Sequence, residues 1–296
     1  MKFSLETKPF RITGKSTFRI AKASTKLPAR LYKNEADLKT KLAAYQDAID
    51  ELQQKMYAQD RHGMMVIFQA MDAAGKDGTI RHVMSGINPG GVEIQSFKRP
   101  SEEELDHDFL WRCMKVTPPR GRIGIFNRSY YEEVLVCKVH PEIITKGQRL
   151  PAEATEKMGK LYERRYEDIA NFERYLSNNG IHVVKFFLNV SKAEQKARFL
   201  ERIETPSKNW KFNIGNVKER AHWDAYMDAY ETAINATATK DSPWYAIPAD
   251  DKGDMRLLVS AAILHHLQGL ELKWPKLPAE QIATLAEAKA TLLAEK

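Results

Sequence analysis

A short apolar run, Met64-Met65-Val66-Ile67-Phe68-Gln69, leads without a break into Ala70-Met71-Asp72-Ala73-Ala74-Gly75-Lys76-Asp77-Gly78, after which Thr79 to Ser85 reads as a helix start. A run of that length suits a strand buried on both faces. Strand, small-residue loop and helix, in that order, form the unit from which helix-covered parallel sheets are built. Small residues let several backbone N–H groups approach one anion, and the helix that follows adds the positive end of its dipole. The segment therefore predicts an α/β fold that binds phosphate at the C-terminal end of this strand.

The general phosphate-loop pattern is G-x-x-x-x-G-K-[ST]. Here it reads A-x-x-x-x-G-K-D, with Ala70 in place of the first glycine and Asp77 in place of the metal-binding hydroxyl. Lys76 supplies a positive charge for bridging and terminal phosphate oxygens. Ala73, Ala74, Gly75, Asp77, Gly78 and Thr79 complete the expected substrate-binding turn. Asp72 is the odd member, because a carboxylate beside phosphate is unfavourable unless a metal or a proton intervenes. It is expected to face Mg²⁺ or to orient an acceptor phosphate.

The rest of the chain continues the alternation. Strands are expected at 92–97, 122–126, 181–188 and 244–248. Helices are expected at 35–60, 101–113, 151–177, from Ser191 to about 204, and at 217–235, 254–268 and 278–295. The predicted fold is a P-loop kinase-like parallel sheet flanked by helices, with a helical lid and helical terminal extensions. Its parts are a basic arm (1–34), the kinase domain (35–270, lid about 204–220) and a C-terminal helical extension (271–296). Asn127 ends the strand expected beside the loop strand, where such folds commonly hold a metal-contacting Asp; Arg128 follows it. Arg198 and Arg202 share one helix face, and residues 192–220 hold eight Lys/Arg against four Glu, a net +4. That stretch is expected to close over phosphates and exclude water. Trp210, Trp223 and Trp244 read as packing residues, one of them free to flank a nucleobase.

Charge and cysteine content narrow the classes further. Of the net +7, residues 1–33 carry nine Lys/Arg against one acid, Glu6, giving +8, so the remainder is close to neutral. The arm either binds a polyanion or wraps the domain as a solvated segment. It has few aromatic residues, so base stacking on nucleic acid is not expected. Two isolated cysteines, Cys113 and Cys137, suggest a reducing compartment rather than a disulfide scaffold or zinc site. No run reaches membrane-spanning length, and the expected location is the cytoplasm.

Three ordered segments resemble those of polyphosphate kinase 2 proteins: Phe68 to Ile80, Phe126-Asn127-Arg128-Ser129-Tyr130-Tyr131-Glu132-Glu133-Val134-Leu135, and Phe187 to Phe212. The resemblance runs from about residue 30 to residue 270. It implies a thymidylate kinase-like fold, phosphoryl transfer between inorganic polyphosphate and purine nucleotides, Mg²⁺ or Mn²⁺ as cofactor, and a homo-oligomer. It implies that Asp72 and Asn127 serve the metal and acceptor. Phosphate contacts are implied for Lys76, Arg128, Arg198 and Arg202, with Lys208 and Lys211 joining from the lid. Asp77 belongs to the family pattern. Tyr131-Glu132-Glu133 resembles the subgroup called class III, which implies action on both AMP and ADP. The rival readings are an ATP-dependent small-molecule kinase of the same fold and a non-catalytic polyanion-binding protein.

Overall fold

The computed structural model describes residues 3 and 5–295, apart from the side chain of Lys211. Six strands, β1 (Arg11–Ile12), β2 (Gly63–Gln69), β3 (Val92–Ser96), β4 (Ile123–Asn127), β5 (Ile181–Asn189) and β6 (Trp244–Pro248), form one sheet in the order β1-β6-β5-β2-β4-β3. Every pairing is parallel except β1 with β6, which is antiparallel. The two-residue edge strand β1 lies in the N-terminal arm and lacks the length for a sequence signal. The loop strand β2 is central and buried along its whole length. Its register sets Phe68 opposite Asn127 of β4 and opposite Phe186 of β5.

The longer helices are α1 (Glu35–Gln59), α2 (Lys76–Val83), α3 (Met158–Asn178), α4 (Lys192–Glu204), α5 (Trp223–Thr237), α6 (Lys252–Gln268) and α7 (Ala279–Ala294). Helix α1 starts where the Asn34 side chain accepts from Asp37 N, and it buries Leu38, Leu42, Tyr45, Ile49 and Met56 at helical spacing. Helices α1 and α2 pack on α6, and α3 packs on α5, so two groups of helices flank the sheet.

Two expected helices are interrupted. Residues 101–113 fold as Glu102–Leu105, under a Ser101/Glu104 capping box, and Trp111–Met114. Between them the Asp108 side chain accepts from Leu110 N and His107 stacks on Trp111, giving the backbone an alternative to helix. Residues 151–177 break at Lys157, whose ψ of 79° is not helical. The stretch expected to start a helix at 217 instead forms Ile214–Lys218 and a 3-10 turn before α5 begins at Trp223.

The arm lies against the fold. The Phe18 backbone exchanges hydrogen bonds with the Asn235 side chain, Arg19 pairs with Glu231, Arg30 with Asp251, and Asn189 donates to the carbonyls of Ala23 and Ser24. Of the two readings of the arm, wrapping is the one these contacts describe. Among the described residues no helix is long and apolar enough to cross a membrane.

One charged cluster lies inside the core. Lys185 on β5 and Glu173 on α3 form an ion pair, both with side chains at 0% exposure. Glu173 also accepts from the hydroxyls of Tyr130 (3.0 Å), Tyr131 (2.8 Å) and Ser242 (2.8 Å), and Lys185 donates to Thr237 O (2.9 Å). A buried pair of this kind adds little over a well-packed apolar pair, but removing one member strands a charge. Glu173→Ala is therefore expected to destabilise the protein by about 3–5 kcal/mol, read from its urea unfolding midpoint. A midpoint equal to that of the parent would show the pair to be dispensable.

Candidate functional site

The C-terminal ends of β2 and β4 open onto a cavity of about 870 Å³. Between β2 and α2 the chain turns with Ala73 at φ 61° and Gly75 at φ 107°. A side chain at Gly75 would be strained by that φ and would also meet Met255 Cε at 3.2 Å. Helix α2 then begins with no side-chain cap. The first N–H groups of a helix have no intrahelical partner, so those of Lys76, Asp77 and Gly78 are available to an anion.

Lys76 is 8% exposed and donates to Ala70 O at 2.8 Å. Burial, with Arg128 nearby, brings its pKa down to about 8, against the opposing pull of Asp72, Glu132 and Asp77. Arg128, also in left-handed conformation (φ 66°), donates to Asp72 Oδ1 (2.9 Å) and to Glu132 Oε2 (2.8 Å). Those two carboxylates, Glu132 first, raise its pKa. Asn127 Nδ2 donates to Asp77 Oδ1 at 2.7 Å, which leaves Asn127 Oδ1 free of hydrogen bonds among the described residues. The adjacent acids Glu132 and Glu133 part company: Glu132 faces the cavity side through Arg128, while Glu133 is buried against Arg165 (3.1 Å).

Arg198 and Arg202 do different work, although they share a helix. Arg198 is 6% exposed and its five N–H donors are all engaged. Nη1 bonds Ala73 O (3.2 Å) and Ala74 O (2.6 Å), Nη2 bonds Ala249 O (2.6 Å) and Asp250 O (3.1 Å), and Nε bonds Glu194 (2.8 Å). It braces the loop, and Gln195 helps by donating to Asp72 O. Arg198 also lines the cavity, where the sequence expects a phosphate contact; spacing reveals the shared face but not the carbonyls that Arg198 holds. Arg202 lines the cavity, its guanidinium 5.5 Å from the Phe199 ring and in no ion pair among the described residues. Lys208 also lines it, paired with Glu201 at 2.5 Å. The Lys211 side chain lies outside the described residues. Thr79 is turned into the core, its hydroxyl donating to Gly75 O (3.0 Å), so only its backbone belongs to the turn. Trp223 and Trp244 are buried, whereas Trp210 is 77% exposed at the cavity.

Further side chains line the cavity without having been singled out by sequence, among them Arg81, Phe97, Lys98, Lys252 and Arg256. Lys252 and Arg256 are four residues apart on α6, a spacing visible in sequence. The expected start of that helix at 254 left Lys252 outside it.

The donor set suits a hard cation held lightly. Asp72 and Asp77 offer carboxylate oxygens and Asn127 an amide oxygen, yet among the described residues no three His, Cys, Asp or Glu side chains converge to cage a metal. One or two carboxylates completed by water and substrate phosphates is the usual way Mg²⁺ is bound.

Residues 32–274 match the family model for polyphosphate kinase 2. An ADP-polyphosphate phosphotransferase of Rhodopseudomonas palustris is 47% identical over 98% of this chain and 99% of its own. An AMP/ADP-polyphosphate phosphotransferase of Meiothermus ruber is 42% identical over 79% of this chain and 83% of its own. The crystal structure of polyphosphate kinase 2 from Arthrobacter aurescens superposes with a TM-score of 0.84 at 38% identity, covering 97% of this chain and 99% of that one.

The buried ammonium of Lys76 has a stability consequence with a definite sign. Its pKa in the fold lies below the ordinary lysine value of 10.5, so between about pH 8 and that value the unfolded chain binds more protons. Through this group the fold gains stability as pH rises across that window, and below it carries the full desolvation penalty. Lys76→Met is expected to show a urea midpoint at pH 7 no lower than the parent's, with any advantage shrinking by pH 10. A lower midpoint at pH 7 would mean that the Ala70 hydrogen bond outweighs burial.

Proposed function

The chain belongs to the polyphosphate kinase 2 family, and from that premise we propose that it transfers phosphoryl groups between inorganic polyphosphate and the purine nucleotides AMP and ADP, reversibly. The observation that carries this reading is the pairing of an uncapped phosphate turn and Lys76 with the Asp72–Arg128 ion pair across one open cavity. A nucleoside phosphate oxygen attacks the terminal phosphorus of the polyphosphate chain, and the bond from that phosphorus to the next bridging oxygen breaks. The nucleotide leaves one phosphate longer and the polymer one phosphate shorter.

Such a transfer needs positioning and charge neutralisation rather than a covalent enzyme intermediate. The N–H groups of Gly75 to Gly78 and the Lys76 ammonium hold the oxygens of the transferred group. Arg128, held by Asp72 and Glu132, sits where it can meet the acceptor phosphate. Arg202 approaches from the last turn of α4 and Lys208 from the lid formed by residues 204–220, to which Lys211 also belongs. Asp72 and Asn127, with Asp77 beside them, would hold Mg²⁺ (or Mn²⁺), which when bound neutralises phosphate oxygens. Arg198 fixes the loop and, lining the same cavity, sets its positive charge behind the bound phosphate.

Tyr131-Glu132-Glu133 supports action on both mono- and diphosphates, since Glu132 orients Arg128. The proposed protein works in the cytoplasm, in keeping with two buried free thiols. It works as a homo-oligomer, for which the exposed Ile282, Leu285, Leu292 and Leu293 of α7 supply an apolar contact surface. The division into arm, kinase domain and C-terminal extension is proposed with the boundaries given by the sequence.

The test is direct. Mixed with Mg²⁺ and polyphosphate, the protein should form ATP from ADP and, more slowly, ADP and ATP from AMP, and EDTA should abolish both. Product from ADP alone would restrict it to diphosphates, and product from neither would reject the function. Lys76→Ala and Asp72→Asn should each lose at least about a hundredfold in rate. Near-normal turnover in either variant would overturn the assignment of the site. Polyphosphate affinity should fall with added salt, as for other polyelectrolytes.

A further inference from the structure

Helix α4 receives three successive carbonyl oxygens of the phosphate turn. Arg198 takes those of Ala73 and Ala74, and the Gln195 amide donates to that of Asp72 at 2.8 Å. The two holders differ in kind. A guanidinium carries donors only, whereas an amide has a donating end and an accepting end. Turned over, the Gln195 amide would set its oxygen against the Asp72 oxygen. Gln195 is 1% exposed, so water cannot make good the lost bond.

Arg220 decides which way that amide lies. Its Nη1 donates to Gln195 Oε1 at 2.5 Å, and Nη1 and Nη2 both donate to Lys192 O at 3.1 Å. Arg220 has no accepting atom, so Gln195 turns its oxygen toward it and its NH₂ toward Asp72 O. Arg220 stands at the far end of the stretch 204–220, within the 3-10 turn Glu219–His222. Beside it the Glu219 carboxylate accepts from the Tyr226 hydroxyl at 2.7 Å and lies 2.9 Å from His140 Nε2. This end of the stretch is thus pinned to α5 on one side and to α4 on the other. Neither Arg220 nor Gln195 is among the residues lining the cavity, so their route to the site runs through the turn.

The step rests on the proposed function, in which Asp72 serves acceptor and metal. On that premise we infer that Arg220 is a positioning residue for phosphoryl transfer. It keeps Gln195 in the one orientation that holds the Asp72 main chain, and so aims the Asp72 carboxylate. That carboxylate has a second hold, Arg128 Nη2 at 2.9 Å, but in the proposed reaction Arg128 also meets the acceptor phosphate. When phosphate draws Arg128 away, Gln195 is the restraint that stays. Since Arg220 sits at the base of the proposed lid, the seating of the lid and the aim of Asp72 are set together.

The experiment measures kcat and KM with ADP, Mg²⁺ and long-chain polyphosphate in the parent, Arg220→Met, Arg220→Lys, Gln195→Leu and the double variant Arg220→Met/Gln195→Leu, with melting temperatures to check folding. In Arg220→Met kcat is expected to fall about tenfold, the size of one charge-assisted hydrogen bond, with the KM of either substrate within about twofold of the parent's. Arg220→Lys keeps a donor-only partner for Gln195 and should recover part of the loss. The double variant should be no slower than Gln195→Leu, since both changes break one relay. In an Asp72→Asn background Arg220→Met should cost less than about a further twofold. A raised polyphosphate KM with kcat kept would make Arg220 a donor contact instead, and losses that multiply in the double variant would break the relay. An unchanged kcat in Arg220→Met, or in Gln195→Leu should the first not fold, would overturn it. A parent that forms no ATP rejects the functional reading and the relay with it, an outcome distinct from an active parent whose variants match it.

Discussion

The site depends on where the carbonyl oxygens of the turn point. Two cations hold them: Lys76 takes Ala70 O, and Arg198 takes Ala73 O and Ala74 O. In a trans peptide the C=O and N–H point in opposite directions. Fixing Ala74 O against Arg198 therefore aims the Gly75 N–H away from it, and the same geometry passes into the uncapped first turn of α2. The turn keeps Ala73 and Gly75 in left-handed conformation, which for a non-glycine residue costs about 1–3 kcal/mol. Five hydrogen bonds from a buried guanidinium can sustain that strain. Arg198 also reaches Ala249 O and Asp250 O beyond β6, so the turn is tied to the far side of the sheet before any ligand arrives.

Asp72 shows how a carboxylate is tolerated beside a phosphate site. Electrostatics alone required a metal or a proton; the structure supplies a third device, the Arg128 guanidinium shared by Asp72 and Glu132. The arrangement is adjustable. Phosphate can compete with either carboxylate for Arg128, and a carboxylate released in that exchange becomes available to a cation. Such exchange requires groups that are only partly buried, and Arg128, Asp72 and Glu132 are all partly exposed. The fully enclosed Lys185–Glu173 pair could not serve in this way.

Much of this was legible in the sequence, for physical reasons that differ by element. The central strands are continuous apolar runs, and α1 has an unbroken helical period, so each announces itself locally. The loop announces itself by composition, and Asn127-Arg128 by standing at the end of a strand. What was not legible depends on tertiary partners. Arg198 and Arg202 look alike in sequence and both line the cavity, and only the carbonyls of Ala74 and Ala249 make one of them a brace as well. Glu132 and Glu133 are adjacent and identical, yet Arg165 draws one inward and Arg128 holds the other outside. The breaks at 106–110 and 156–157 arise where local side-chain bonds and chain direction outweigh helix propensity. The edge strand β1 exists only because β6 offers it a free ladder.

The sheet by itself places Asn127, but Arg128 needs more. After Asn127 the chain leaves β4 with Arg128 at φ 66°, and the next residues must be pinned for that conformation to persist. Ser129 does part of this, its side chain accepting from Tyr131 N. Tyr130 and Tyr131 do the rest by anchoring their hydroxyls on Glu173, whose charge Lys185 balances. An apolar replacement of that buried pair could fill the same volume, but it would leave the Tyr130 hydroxyl without its acceptor and Tyr131 held only through Thr237, loosening the segment after Arg128. A charge enclosed in the core thus has a reason to persist: it fixes the backbone on which the arginine of the site is mounted.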